Sequence, residues 1–179
     1  SRMLDEGTTQ RDTTAIAAAF EQVGASFGAS SYRDMAVAEL RVLSDPAFLA
    51  PALDVFRDVI AHPVFPADAF ARTQQSSEVG QRQQDQSPAA LASRIFYQEL
   101  DKGHPYAHPP SGSRATLSKL TREDLVQFHQ RFYVARNLTI ALVGSVDREQ
   151  AEQVAEAVSN ALPAGEPAPA LSAAPRLKK

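Results

Sequence analysis

A chain of 179 residues, 44% of them hydrophobic, with a formal charge of −3, is sized for one domain with a real core. The lack of cysteine excludes disulfides and thiolate-held metal and suits either redox compartment. With no basic stripe or acidic tail, the charge gives no reason to expect nucleic acid as a partner. No window approaches the roughly 18 apolar residues of a membrane helix, so no membrane partner is expected either.

The run DTTAIAAAFEQV predicts a first helix, with Asp12 or Thr13 at its cap and Gly24 ending it. ASFGASS and MAVAELRVL, joined by the turn YRD, predict a β-hairpin. In its second arm Ala36, Ala38, Leu40 and Val42 share one face, while Glu39 and Arg41 share the other, the alternation of a half-buried strand. Leu49, Leu53, Phe56 and Ile60 recur at helical spacing. They predict a helix in the later part of SDPAFLAPALDVFRDVIAHP, with Pro51 in its first turn and Pro63 as its stop. Pro66 opens another helix, whose second half, RTQQSSEVGQRQQDQ, holds one large apolar residue, Val79. Such a stretch is either a solvated rod or the wall of a wet cavity.

Ser87 and Pro88 read as the cap and first position of a helix with Leu91 and Ile95 on its apolar face. KGHPYAHPPSGS is a loop by composition. Thr121 caps a helix that carries Leu125, Phe128 and Phe132. NLTIALVGSV, apolar on both faces, predicts a central strand. Asp147 and Gln150 make a capping-box start for a helix that buries Ala151, Val154, Val158 and Leu162. The tail PAGEPAPALSAAPRLKK has four prolines and little to pack.

Interleaved helices, an early hairpin and one late strand predict an α+β fold with a mixed, largely antiparallel sheet and helices packed on one face. Three strands are few for so many helices, so the first strands of the domain are expected upstream of Ser1. The domain then spans residues 1–163, with residues 164–179 as a Pro/Ala-rich interdomain linker.

The ordered set MLDEGT, VGASFGASSYRDMAVAELRVL, HPVF, GHPYAHPPSGS and LTREDLVQFHQRFYVARNLTIALVGSVD, closed by a helix and a Pro-rich stretch, carries a resemblance. Over residues 2 to 165 it resembles the first domain of the pitrilysin/insulinase family of zinc peptidases. Bacterial members related to mitochondrial processing peptidase, built from paired half-molecules, are the most similar. The resemblance implies a zinc site made by an inverted motif, His-x-x-Glu-His, with a third ligand, Glu, on a later helix. Two imidazoles one turn apart and a carboxylate hold zinc with one open position, and the motif's glutamate takes a proton from the zinc-bound water.

In active members that motif runs directly into Met-Leu-x-x-Gly-Thr, which here is Met3, Leu4, Asp5, Glu6, Gly7 and Thr8. The second histidine therefore falls on Arg2 and the general base on Ser1. Counted from HPVF, the third ligand falls on Gly80, and a nearby acidic position on Thr73. A guanidinium stays protonated and offers a metal no lone pair, and glycine has no side chain. Glu78 is two residues from Gly80, about 200° round the helix, and is expected on a solvated face. The hairpin also lacks the family's Asn-Ala-x-Thr, having Gly28, Ala29, Ser30 and Ser31 instead.

His104 and His108 have helical metal-site spacing, but the prolines around them forbid a regular helix, and a loop near an interface is expected. His62 and His129 are expected to be structural. No Gly-x-Ser-x-Gly elbow supports a serine triad, and GASFGASS lacks a phosphate-loop lysine.

The resemblance thus implies a half that holds no zinc itself and is inactive alone, within a family that hydrolyses peptides. Its implied partners are a zinc-bearing homologous subunit or domain and a peptide substrate. Phe27, Gly28, Ala29, Ser30 and Ser31 are the expected peptide-binding wall of a shared chamber. A structural or assembly subunit without peptidase work is the alternative. The compartment stays open between bacterial periplasm and cytoplasm, for a chain expected to be soluble.

Overall fold

In the computed structural model, which describes residues 2–173, Asp12 accepts from the Ala15 N–H and opens α1, Thr13–Gln22. Gly24, at φ +62°, ends it. Strands β1 (Ser26–Ser31) and β2 (Ala36–Arg41) form an antiparallel hairpin in which Phe27 pairs with Leu40 and Ala29 with Ala38. Helices follow as α2 (Pro46–Ala61), α3 (Ala67–Asp85), α4 (Pro88–Leu100), α5 (Arg114–Leu117), α6 (Arg122–Phe132) and α7 (Arg148–Ser159). Capping boxes at Thr121–Asp124 and Asp147–Gln150 fix the starts of α6 and α7. No helix among the described residues is long and apolar enough to cross a membrane.

The alternation read in the hairpin decides its packing. Phe27, Ala29, Ala38 and Leu40 turn to one face, onto Ile16 and Phe20 of α1, Val55, Phe56, Val59 and Ile60 of α2, and Val158 of α7. Phe27 stacks on Phe20 at 5.7 Å and meets Phe56 edge-on at 6.1 Å. Ser26, Gly28, Ser30, Glu39 and Arg41 are exposed on the other face. This is the expected α+β arrangement, an antiparallel sheet with helices on one side. A second cluster, Met3, Phe65 and Ala69 with Phe70, Leu125 and Val126, ties the start of the chain to α3 and α6. Gly7 is required there. Its φ is +145°, and a Cβ would come within 3.3 Å of Pro66.

Four features depart from expectation. NLTIALVGSV makes no ladder. Its Leu138 and Ile140 pack against the main cluster, but its backbone pairs with neither β1 nor β2. Pro51 does not delay α2, which starts five residues earlier at Asp45 and Pro46. The missing Pro51 N–H removes one ladder bond only. Ile95 is 56% exposed, and α4 buries none of its residues. The stretch 163–173 has no helix or strand, yet it lies on the body. The Ala135 N–H donates to the Pro163 carbonyl at 2.8 Å, and the Ala168 N–H to Asn137 Oδ1 at 2.7 Å.

Candidate functional site

The positions that would carry a metal sit at the start of the chain and on α3. Arg2 is exposed, in the turn before the buried Met3 and Leu4. Met3 packs on Ala69, and Gly80 lies about 16 Å further along the axis of α3. A Cβ built on Gly80 meets nothing within 4 Å, so there is room for a side chain and none present. Thr73 and Glu78 are half-buried on the same helix, and Ser1 lies outside the described residues. These residues do not fit a zinc ion: one has no lone pair to give and the other no donor atom. Among the described residues no three His, Asp or Glu side chains converge as a metal set.

The buried titratable groups are spent on structure. Asp58 is 6% exposed and accepts from Thr8 Oγ1 and Arg11 Nη1, each at 2.7 Å, with His62 Nδ1 at 3.3 Å. Its hydrogen bond to Asp58 holds the Arg11 guanidinium pKa above the usual value. The nearby hydroxyl, Thr8, donates to the carboxylate rather than to the imidazole, so no nucleophile–base pair exists there. His129 donates from Nε2 to the Ile60 carbonyl at 2.8 Å and stacks on Tyr133 at 4.6 Å. Burial lowers its pKa against the opposing pull of that carbonyl, and burial raises that of Tyr133. His108 is exposed, whereas His104 spends both ring nitrogens on backbone groups.

A crevice of about 460 Å³ lies beside residues 6–13 and the start of α3. Its Arg72 is paired with Glu6 and Asp68, its Arg11 with Asp54 and Asp58, and its Asp12 accepts from the Ala15 N–H at the start of α1.

The hairpin is different. The edge of β1 away from β2 has no strand beside it among the described residues. Phe27 and Ala29 send their side chains into the core, so at that edge they offer backbone alone. Ser26, Gly28 and Ser30 leave the outer face low. The turn between the strands is pinned: Arg33 Nη1 donates to the carbonyls of Tyr106 and His108, and Tyr106 Oη donates to Asp34. No sequence pattern foretold these links, which join residues more than 70 positions apart. The glutamines of α3 were equally silent. Gln74 donates to Leu117 and Leu120 carbonyls, and Gln81, 4% exposed, to those of Ser111 and Gly112.

Comparison with known proteins places these features. Residues 1–109 match the family described as insulinase (peptidase family M16), and residues 119–179 match the peptidase M16 inactive domain. An uncharacterized zinc protease of Rickettsia felis is 30% identical over 92% of this chain and 39% of its own length. A probable mitochondrial-processing peptidase subunit beta of Schizosaccharomyces pombe is 25% identical over 84% of this chain and 33% of its own. The crystal structure of a peptidase M16 inactive domain from Pseudomonas fluorescens superposes with a TM-score of 0.92 at 42% identity, over 97% of this chain and 42% of that one. The chain thus spans about two fifths of the length of its first curated relatives. With residues 1–109 matched by the insulinase family and the fold shared with a solved M16 domain at 42% identity, the chain belongs to the insulinase family of peptidases, M16.

Proposed function

We propose that this chain is part of a non-catalytic half of an M16 metallopeptidase, helping to shape a peptide-binding chamber with a homologous zinc-bearing subunit or domain. The observation that carries this is the pairing of a family match with Arg2 and Gly80 at the expected ligand positions. In this reading the unpaired edge of β1 takes an extended peptide as an added strand. Main-chain bonds along residues 27–31 supply affinity, and the small side chains of Gly28 and Ser30 leave room on the open face. Residues 164–173 then lead toward a second domain, with residues 174–179 outside the described part.

The experiment has two stages. The purified chain is assayed for bound zinc and for hydrolysis of a peptide mixture, and neither is expected. Stoichiometric zinc or chelator-sensitive cleavage would overturn the degenerate-site reading. A homologous half with an intact His-x-x-Glu-His is then added, and cleavage is expected only with both present. A partner indifferent to this chain would instead favour a structural or assembly subunit.

A further inference from the structure

We infer that residues 163–173 form a docked strap, and that His104 is the clasp joining it to the β1–β2 turn, so that strap and turn loosen together. The strap has two anchors. At the first, the Ala135 and Arg136 N–H groups donate to the Pro163 and Ala164 carbonyls, and Asn137 Oδ1 accepts from Ala168. Gly165, at φ +59°, presses on Val134 so closely that a Cβ would lie 2.3 Å from a Val134 methyl. At the second anchor, His104 Nε2–H donates to the Ser172 carbonyl at 2.9 Å.

His104 is 5% exposed, and its Nδ1 accepts from the Tyr106 N–H at 3.2 Å. Both nitrogens are therefore committed, and the partners fix the tautomer with hydrogen on Nε2. The imidazole meets the Tyr106 ring edge-on at 4.7 Å. Tyr106 continues the path: its hydroxyl donates to Asp34, its carbonyl accepts from Arg33, and the Arg33 guanidinium lies 4.1 Å over the Tyr97 ring. Arg33 and Asp34 are the turn that closes the hairpin, where the Tyr32 N–H bonds the Met35 carbonyl.

One unbroken series of contacts thus runs from Ser172 to the hairpin. Losing the Ser172 carbonyl would leave a buried N–H without a partner, and the imidazole must then shift against Tyr106. The docking of the strap and the setting of the turn share one residue. His104 is a positioning residue. Its bearing on peptide binding rests on the function proposed above, but the clasp itself does not.

Amide hydrogen exchange on the full chain, without peptide or partner, tests the clasp. His104→Asn keeps an acceptor near Nδ1 for the Tyr106 N–H but cannot reach Ser172. Exchange is expected to quicken roughly tenfold at the Ala168 N–H and at the Ala135 and Arg136 N–H groups that hold the strap, and several-fold at the Tyr32 N–H, while the amides of α1 and α2 keep their wild-type rates. Tyr106→Phe removes the hydroxyl bond to Asp34 at the hairpin end while the Arg33 donation to the Tyr106 carbonyl stays, and it is expected to quicken both regions to a smaller degree. A strap loosened with the Tyr32 amide at its wild-type rate would overturn the coupling, and so would no change in the strap. Should His104→Asn fail to fold, Tyr106→Phe decides alone, because it removes only a hydroxyl.

Discussion

At the scale of single residues, what the chain lacks and what it buries lead to separate measurements. Gly80 stands inside a helix with open space beyond its Cα and no need of positive φ. Nothing local demands a glycine, so Gly80→Ala is expected to stabilise the chain by about 0.5–1 kcal/mol, read from the urea midpoint. Gly80→Glu restores the expected ligand type, but Arg2 still gives a metal nothing, so zinc retention in equilibrium dialysis is expected to stay at background. Asp58 is the opposite case, a buried carboxylate whose partners depend on it. Asp58→Ala leaves the Thr8 hydroxyl without its acceptor and the Arg11 guanidinium with Asp54 alone, and it is expected to cost about 1–3 kcal/mol in the same assay. His129 governs part of the pH response. Burial favours its neutral form, so its folded pKa lies below the unfolded value of about 6.5. The unfolded chain then binds the proton more readily. His129 thus contributes stability above that unfolded value, and the contribution declines as the pH falls toward the folded pKa. Thermal melts from pH 7 to 5 are expected to fall less steeply in His129→Gln than in the wild type.

At the scale of elements, what could be read in advance was what local chemistry decides. The caps Asp12, Ser87, Thr121 and Asp147 each hold the N–H they were expected to hold, because a cap needs only its own next three residues. The hairpin's alternation was legible for the same reason. Contacts with distant partners were not. The polar run of α3 gave no hint that Gln81 would be buried, since an amide is buried only where a loop presents carbonyls to it, here Ser111 and Gly112. Gln81→Ala is expected to cost about 1–2 kcal/mol, where replacement of an exposed Gln75 would cost almost nothing. Pro51 misled because its effect depends on where the helix starts, and Asp45 starts it early. The candidate site divides in the same way. The strand that holds residues 27–31 was visible, whereas its pinned turn depends on Arg33, Asp34 and Tyr106 meeting across the fold.

At the scale of the whole molecule, the sheet is small for the surface around it. A two-stranded hairpin is marginal alone and is held here by α1, α2 and α7. The apolar stretch that follows residue 137 is only half accommodated. Leu138 and Ile140 reach the core, whereas Leu142 is 40% and Val143 99% exposed, with no strand beside them among the described residues. A β-branched, uncharged run with unpaired backbone is a template for pairing with another copy of itself. The chain alone is therefore expected to associate as its concentration rises, and Val143→Lys is expected to shift it toward the monomer in light scattering. A side chain so exposed contributes little to folding, so the free energy of unfolding should stay within about 0.5 kcal/mol of wild type. Gln98→Lys adds the same charge on the exposed α4 and serves as the control. If it disperses the chain equally well, net charge rather than the 138–143 segment governs association, and the unpaired run is not the contact.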